Sequence, residues 1–225
     1  MDEPRPLSFR ALAAVVVAFA VAMAYLESAV VVYLQRALGI TPDTLFPLRS
    51  ADMVGSFAAI EVGREAATIV MLATIGCIAG RRWMDRLAWS AVAFGAWDIA
   101  YYGWLWVFLG WPHSPLSWDV LFLIPVPWAG PVWAPVAVSV ALIGFGLAGA
   151  REVAAGRLRR VGIRNVALAV AGGVVVVVSF CLDGPSLMSG ALPAPFAWPV
   201  FMAGMVIAGA AAWAALRDAR RASVR

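Results

Sequence analysis

The sequence contains no lysine and little charge of either sign, with 17 arginines and 13 acidic residues among 225. Charged residues make up 13% of the chain, hydrophobic residues 63%, and the mean hydropathy is +0.87. This composition excludes an ordinary soluble globular domain, in which about 25% of residues are charged. It also argues against nucleic-acid binding, because no module of interleaved aromatic and basic residues is present.

Histidine and cysteine are equally scarce. The single histidine is His113, and the two cysteines, Cys77 and Cys181, are far apart and form no CxxC pair. Haem and zinc sites usually require several such ligands, so the sequence argues against both cofactors.

Long apolar runs dominate the chain instead. A membrane-spanning helix needs about 20 predominantly apolar residues. The first run continues past the cleavage-like Ala22-Met23-Ala24, which favours a retained helix over a signal peptide. The sequence therefore predicts an all-α bundle of six transmembrane helices in a single membrane domain over 1–225, with helices at about 11–38, 53–80, 84–110, 131–150, 163–182 and 195–216.

Arginine positions predict the orientation of this bundle. Of the 17 arginines, 14 fall before the first segment, after the second, after the fourth or after the sixth. Loops on the cytoplasmic side of a membrane carry an excess of arginine and lysine. We therefore predict a multi-pass protein of the cell membrane, here an inner membrane, with both termini cytoplasmic.

The connection over 111–136 is rich in tryptophan and proline, although its centre is apolar. Proline removes backbone donors and disfavours a continuous helix, so this piece is too broken to span the membrane. We expect an outer lid, a re-entrant segment, or a belt of aromatic residues at the membrane interface.

Five charged residues lie well inside the first three predicted helices, away from their ends: Glu27, Glu61, Arg64, Glu65 and Asp98. At about 1.5 Å per residue, the four acids all fall about 12–18 Å below the outer end of their helices. Glu61, Arg64 and Glu65 share one helix face through their i, i+3 and i, i+4 spacing. Ionisable residues in a membrane usually face the interior of a helix bundle, so these five predict one site.

Four carboxylates and one guanidinium would leave a net negative charge inside the membrane, and this charge must be neutralised. Protonation of some of the acids is one solution. A divalent cation is another, with Glu27, Glu61, Glu65, Asp98 and the loop residue Asp119 as candidate ligands. A third reading is purely structural, with Arg64 holding three helices together through ion pairs.

Aromatic residues surround these acids in the sequence. Tyr101 and Tyr102 lie at i+3 and i+4 from Asp98, which places their phenols on the same side of the helix. Trp97, Tyr25 and the loop residues Trp118 and Trp128 complete the candidate substrate-binding set. An acid among aromatic rings can protonate an apolar substrate and stabilise the cation that develops.

The segment Ala96-Trp97-Asp98-Ile99-Ala100-Tyr101 resembles the Ala-Trp-Glu-Ile-x-Tyr type segment of the small polytopic membrane terpene cyclases. The resemblance implies that Asp98 is the acid that starts cyclisation of an isoprenoid. It also implies a second acidic position at Asp183. This sequence has Asp where that family has Glu, and six predicted helices where the family has seven.

Three functions remain open at this point. The first is an intramembrane enzyme with a lipophilic, isoprenoid- or quinone-like substrate, in which Asp98 is the acid, Glu61 and Glu65 are bases or metal ligands, and Arg64 is the counter-ion to acids that include Glu27. The second is a proton- or cation-coupled transporter that uses the same carboxylates. The third is a non-catalytic lipid- or pigment-binding subunit. The expected partners are membrane lipids, a lipophilic small molecule, and other subunits or further copies of the chain.

Overall fold

The computed structural model describes residues 7–42, 45–46, 51–123, 126–158 and 160–222, with no description of the side chains of 51–58 and 222. It contains seven helices and one pair of strands within these residues. The elements are α1 (Phe9–Leu38), α2 (Ala51–Ala79), α3 (Trp83–Leu109), β1 (Trp118–Phe122), β2 (Trp128–Pro131), α4 (Trp133–Ala154), α5 (Ile163–Cys181), α6 (Gly184–Met188) and α7 (Trp198–Ala222).

Six of these helices are long and apolar enough to cross a membrane, and the short α6 continues the fifth of these spans. This confirms the prediction of six helices long and apolar enough to cross a membrane, with helix ends that differ by a few residues from the predicted ones. The largest difference is at α7, which continues to Ala222 and so carries Arg217, Arg220 and Arg221 as helical residues. Left-handed glycines end α1 at Gly39 and α3 at Gly110, where residues with a side chain would be strained.

Helix α3 is the centre of the bundle, because it packs against α1, α2 and α4. Its buried Trp89 and Val92 meet Val16 and Ala20 of α1 in the largest apolar cluster. Two hydrogen bonds also join α1 and α3, from Ser28 Oγ to the Tyr101 carbonyl (3.1 Å) and from Trp104 Nε1 to the Val21 carbonyl (3.1 Å). Helices α5 and α7 form a separate pair that contacts the rest mainly through α4.

The tryptophan- and proline-rich connection forms an antiparallel hairpin, which the sequence did not predict. Trp118 pairs with Pro131, Asp119 with Gly130 and Val120 with Ala129, and the register shifts before Phe122 pairs with Trp128. A Cβ at Gly130 would stand 2.9 Å from the Phe180 ring, so only glycine allows the hairpin to lie this close to α5. The prediction that this segment does not span the membrane as a helix is confirmed.

Small residues bring the helices close together, as expected for a membrane bundle. Gly76 and Gly80 approach the α3 backbone, and Gly172 and Gly204 meet at the α5–α7 contact. The glycines of α4 differ from one another: Gly146 abuts α3, whereas a Cβ at Gly144 would meet nothing within 4 Å.

Gly146 and Gly144 offer a matched test of this packing. A Cβ at Gly146 would stand 2.7 Å from the Ala88 carbonyl oxygen. We expect Gly146→Ala to lower the free energy of unfolding by about 1–3 kcal/mol, because α3 and α4 must move apart. Gly144→Ala should be neutral or stabilising by up to about 1 kcal/mol. Denaturant titration in detergent micelles measures both, and equal effects would contradict the close contact of α3 and α4.

Candidate functional site

Arg64 of α2 connects two of the predicted site acids. Its guanidinium forms an ion pair with Glu27 of α1, and its Nε and Nη2 atoms lie 2.9 and 2.8 Å from Glu61 Oε2. Thr68 Oγ1 donates to the other oxygen of Glu27 at 3.2 Å. The sequence predicted that Glu61 and Arg64 share one helix face, and the structure pairs them. It also places Glu27 of α1 opposite Arg64 of α2, as their predicted common depth requires.

Asp98 lies apart from this ion-pair network. Its Oδ2 accepts a 2.8 Å hydrogen bond from Ser139 Oγ of α4, and its side chain is buried. Ser139 was not among the predicted site residues. An isolated serine in the apolar α4 was the available signal, and only the packing of α3 on α4 shows which residue it meets.

Asp119 reaches the site from the hairpin. Its Oδ2 accepts a hydrogen bond from the Tyr102 hydroxyl at 3.2 Å, and its Oδ1 accepts one from the Val120 amide at 2.9 Å. Burial raises the pKa of Asp119 to about 7; the bonds from Tyr102 and Val120 oppose this rise, and the nearby charge of Asp98 adds to it. Asp119, which the sequence predicted only as a loop residue and candidate cation ligand, therefore lies beside Tyr102 of α3.

Glu65 holds the hairpin to the bundle. Both of its carboxylate oxygens accept from the Leu123 amide at 3.0 Å. Leu123 follows directly after β1, and its backbone amide finds its acceptor in Glu65 of α2. This contact fixes the hairpin against α2.

These groups line one cavity of about 830 Å³, within the range of about 300–1,000 Å³ typical of ligand pockets. Four predicted aromatic residues, Trp97, Tyr101, Tyr102 and Trp128, contribute to its wall. The ring of Tyr101 stacks on Trp97 and meets the ring of Tyr102 edge-on. The ionisable lining residues are Glu27, Glu61, Arg64, Glu65, Asp98, Tyr101, Tyr102 and Asp119.

Two predicted substrate-binding residues lie elsewhere. Tyr25 is 44% exposed and packs on Trp104 and Phe108 at the outside of the bundle. Trp118 contacts Phe46 and Phe196, and it does not belong to the cavity lining. Tyr25 lies on the exposed face of α1 and Trp118 lies at the start of β1, before the strand residues that line the cavity. The sequence did not reveal either placement.

The second acid implied by the terpene cyclase resemblance also lies outside the lining. Asp183 accepts from the Ala194 amide at 2.7 Å and precedes α6. His113 is exposed in the connection before β1. Neither residue lines the cavity.

The cavity also extends beyond the predicted place between the first three helices. Residues of α4, α5 and α7 form its far wall, and all of those beyond Ser139 are apolar. No signal in the sequence marks this extension, because small residues such as Gly173 and Ala208 are equally common at tight helix contacts.

Two observations bear on what the cavity can hold. Within the described part of the chain, no three His, Cys, Asp or Glu side chains converge as a metal-binding group, so the proposed divalent-cation ligands stay a prediction. Among the same residues, Trp97 Nε1 is the single buried side-chain nitrogen or oxygen without a hydrogen-bond partner. The cavity wall thus contains a donor that none of the described residues satisfies.

Comparisons with known proteins give no match: no family model, no curated protein and no solved structure is significantly similar to the chain. The resemblance over 96–101 therefore stays a prediction, and the function must be argued from the site itself.

Removing the guanidinium tests the ion-pair network. We expect Arg64→Gln to lower the free energy of unfolding by about 3 kcal/mol, because it leaves Glu27 and Glu61 unpaired in a largely buried place. Adding Glu27→Gln to this variant should restore about 1 kcal/mol or more, and a double-mutant cycle measures the coupling. Strictly additive losses would show that Arg64 and Glu27 do not interact energetically.

The pKa of Asp119 predicts a dependence of stability on pH. The unfolded side chain ionises near 3.8, whereas the folded one keeps its proton to about 7. Between these values the folded state binds more protons, so this side chain contributes stability that is lost as the pH rises from about 4 to 7. Wild type should therefore lose stability relative to Asp119→Asn over this range, as measured by thermal unfolding in detergent. A pH-independent difference would contradict the burial of Asp119.

Proposed function

We propose that this protein is an intramembrane enzyme that acts on a lipophilic substrate by acid–base chemistry inside the cavity. The observation that carries the proposal is the setting of Asp98. This buried carboxyl group accepts one hydrogen bond from Ser139 in the wall of an 830 Å³ cavity, beside the stacked rings of Trp97 and Tyr101. An acid with access to a cavity among apolar helices is suited to donate a proton to an apolar molecule.

Asp98 and Asp119 form an acid–base pair in this proposal. Asp98 donates its proton to the substrate and becomes a carboxylate that the Ser139 hydroxyl group stabilises. Asp119, which lines the same cavity and bonds the Tyr102 hydroxyl, removes a proton from the product side. A carboxyl group with a pKa of about 7 is suited to both directions of transfer near neutral pH.

The remaining charged residues position this pair. Arg64 is occupied by Glu27 and Glu61, and Glu65 is occupied by the Leu123 amide. We therefore assign Glu27, Glu61, Arg64 and Glu65 to holding α1, α2 and the hairpin around the cavity, rather than to proton transfer.

The substrate is a lipophilic molecule with an isoprenoid- or quinone-like apolar part. The apolar wall formed by α4, α5 and α7 supports this choice. Aromatic faces stabilise positive charge that develops after protonation, at about 0.5–2 kcal/mol per contact. This chemistry agrees with the role that the resemblance to membrane terpene cyclases implies for Asp98.

We also propose that both termini lie in the cytoplasm, on the basis of the 14 arginines that share that side. The hairpin then lies on the outer side and covers the cavity there. Its residues Asp119 to Leu123 and Trp128 line the cavity, which supports this arrangement.

Asp98→Asn tests the enzymatic role, since it keeps the shape of the side chain but removes the acid. Protein in nanodiscs is incubated with a total lipid extract, and mass spectrometry compares the lipids before and after. We expect conversion of a lipid by wild type, and a loss of about 100-fold or more in the variant. Asp85→Asn, on the same helix but outside the cavity lining, is the matched control and should keep the wild-type rate.

Retained conversion by Asp98→Asn would contradict the role of Asp98 as acid. A stoichiometric lipid that binds but is never converted would favour a non-catalytic binding subunit. Proton-driven uptake into vesicles that Asp98→Asn abolishes would favour the transporter, which uses the same carboxylates.

A further inference from the structure

The cavity has two chemically different parts. One part, here called the head chamber, contains the five carboxyl groups, Arg64 and the rings of Trp97, Tyr101, Tyr102 and Trp128. Its wall is completed by mostly apolar residues of the hairpin and of the C-terminal part of α1 and the connection after it, namely Val31, Leu34, Gln35, Leu38, Ile40 and Leu45. The other part, here called the tail arm, lies beyond Asp98 and Ser139 between α3, α4, α5 and α7. The described residues that line the tail arm are all apolar. A polar head with one apolar tail fits this division.

The described lining of the head chamber contains more acidic than basic side chains. Five carboxyl groups face a single guanidinium, and that guanidinium already pairs with Glu27 and Glu61. A phosphate or carboxylate head would find no unpaired cation among the described lining residues and would be repelled by the acids. A positive head group, in contrast, would meet the carboxyl oxygens of Glu65, Asp98 and Asp119, which Arg64 does not pair among the described residues.

The arrangement suits a bulky organic cation better than a compact metal ion. The described carboxylates face the chamber from α1, α2, α3 and the hairpin, and no three of them converge as a metal-binding group. Four aromatic residues share the same walls. Aromatic rings combined with acidic groups are the usual means by which proteins recognise ammonium groups.

The tail arm has room for a short hydrocarbon chain. From Asp98 to Ala91 on α3, and from Ser139 to Gly146 on α4, the lining continues for seven residues, about 10 Å along each helix. Gly173 of α5 lines the arm, and a Cβ there would meet nothing within 4 Å. Its missing side chain therefore leaves open space in the arm.

We propose that the ligand of this cavity is a single-chain lipophilic amine, held as its ammonium in the head chamber with its tail in the tail arm. This inference rests on the proposed function, because it names the class of molecule on which the site acts. An alkylamine is already an ammonium near neutral pH, because its pKa is close to that of lysine, about 10.4. It therefore binds with its own proton, and the proton of Asp98 remains for the acid chemistry of the proposed function.

Probes with one tail and different heads test the head chamber. Decyltrimethylammonium, decan-1-ol and decyl phosphate are titrated into the protein in phosphatidylcholine nanodiscs, and binding is followed by the rise in thermal unfolding temperature. We expect decyltrimethylammonium to bind about tenfold tighter than decan-1-ol, and decyl phosphate to bind most weakly. Equal or tighter binding of decan-1-ol or decyl phosphate would overturn the proposal.

Two glycine variants test the tail arm. Gly173→Leu places a side chain in the arm, whereas Gly144→Leu places one on an exposed face of α4 with nothing within 4 Å. We expect Gly173→Leu to weaken decyltrimethylammonium about tenfold or more and to leave tetramethylammonium, which has no tail, unchanged. Gly144→Leu should change neither. Equal weakening of decyltrimethylammonium binding by the two variants would contradict the proposal. So would competition in which Mg²⁺ displaces decyltrimethylammonium and tetramethylammonium equally well.

Binding and turnover fail separately in these experiments. If the ammonium probe binds as expected but Asp98→Asn still converts its lipid, the ligand class stands and the proposed acid chemistry falls. If Asp98→Asn abolishes conversion but the alcohol binds better than the ammonium, the enzyme stands and the amine is wrong.

Discussion

The ion pairs of Arg64 are the interaction on which the site depends. Helices α1 and α2 contact each other far less than either contacts α3, so apolar packing alone would not close the wall between them. Arg64 and Thr68 of α2 both bind Glu27 of α1 at this place. An unpaired charge inside an apolar bundle is costly. Arg64 and Glu27 therefore hold α1 and α2 together in one arrangement, and this contact closes the cavity wall between the two helices.

The cavity exists for two reasons. The Arg64 ion pairs hold α1 and α2 together on one side, and α5 and α7 stand apart from the first three helices on the other. Where α3 and α4 pack tightly, glycines such as Gly95 and Gly146 allow the backbones to meet. Between α4, α5 and α7, small residues leave space instead, and the cavity extends into it. The same bundle thus provides an acidic, aromatic end for chemistry and an apolar end for a lipid tail.

The six spans and the level of their acids could be predicted from sequence, because bilayer thickness and helical rise fix both. The Glu61–Arg64 pair follows from spacing within one helix. The Asp98–Ser139 bond joins residues 41 positions apart, and the hairpin is placed by Glu65 of α2 and by the close contact of Gly130 with Phe180 of α5. No local pattern encodes such pairings. The tail arm is empty space between helices, and no residue pattern in the sequence predicts it.

Native mass spectrometry of the protein released from its own membranes tests the central claim most directly, namely that the cavity holds a lipophilic molecule. The account predicts one bound molecule per chain, smaller than a phospholipid, that Gly173→Leu removes and Gly144→Leu does not. A bare protein mass, or only phospholipids that both variants retain alike, would contradict it and leave the buried acids with a structural role.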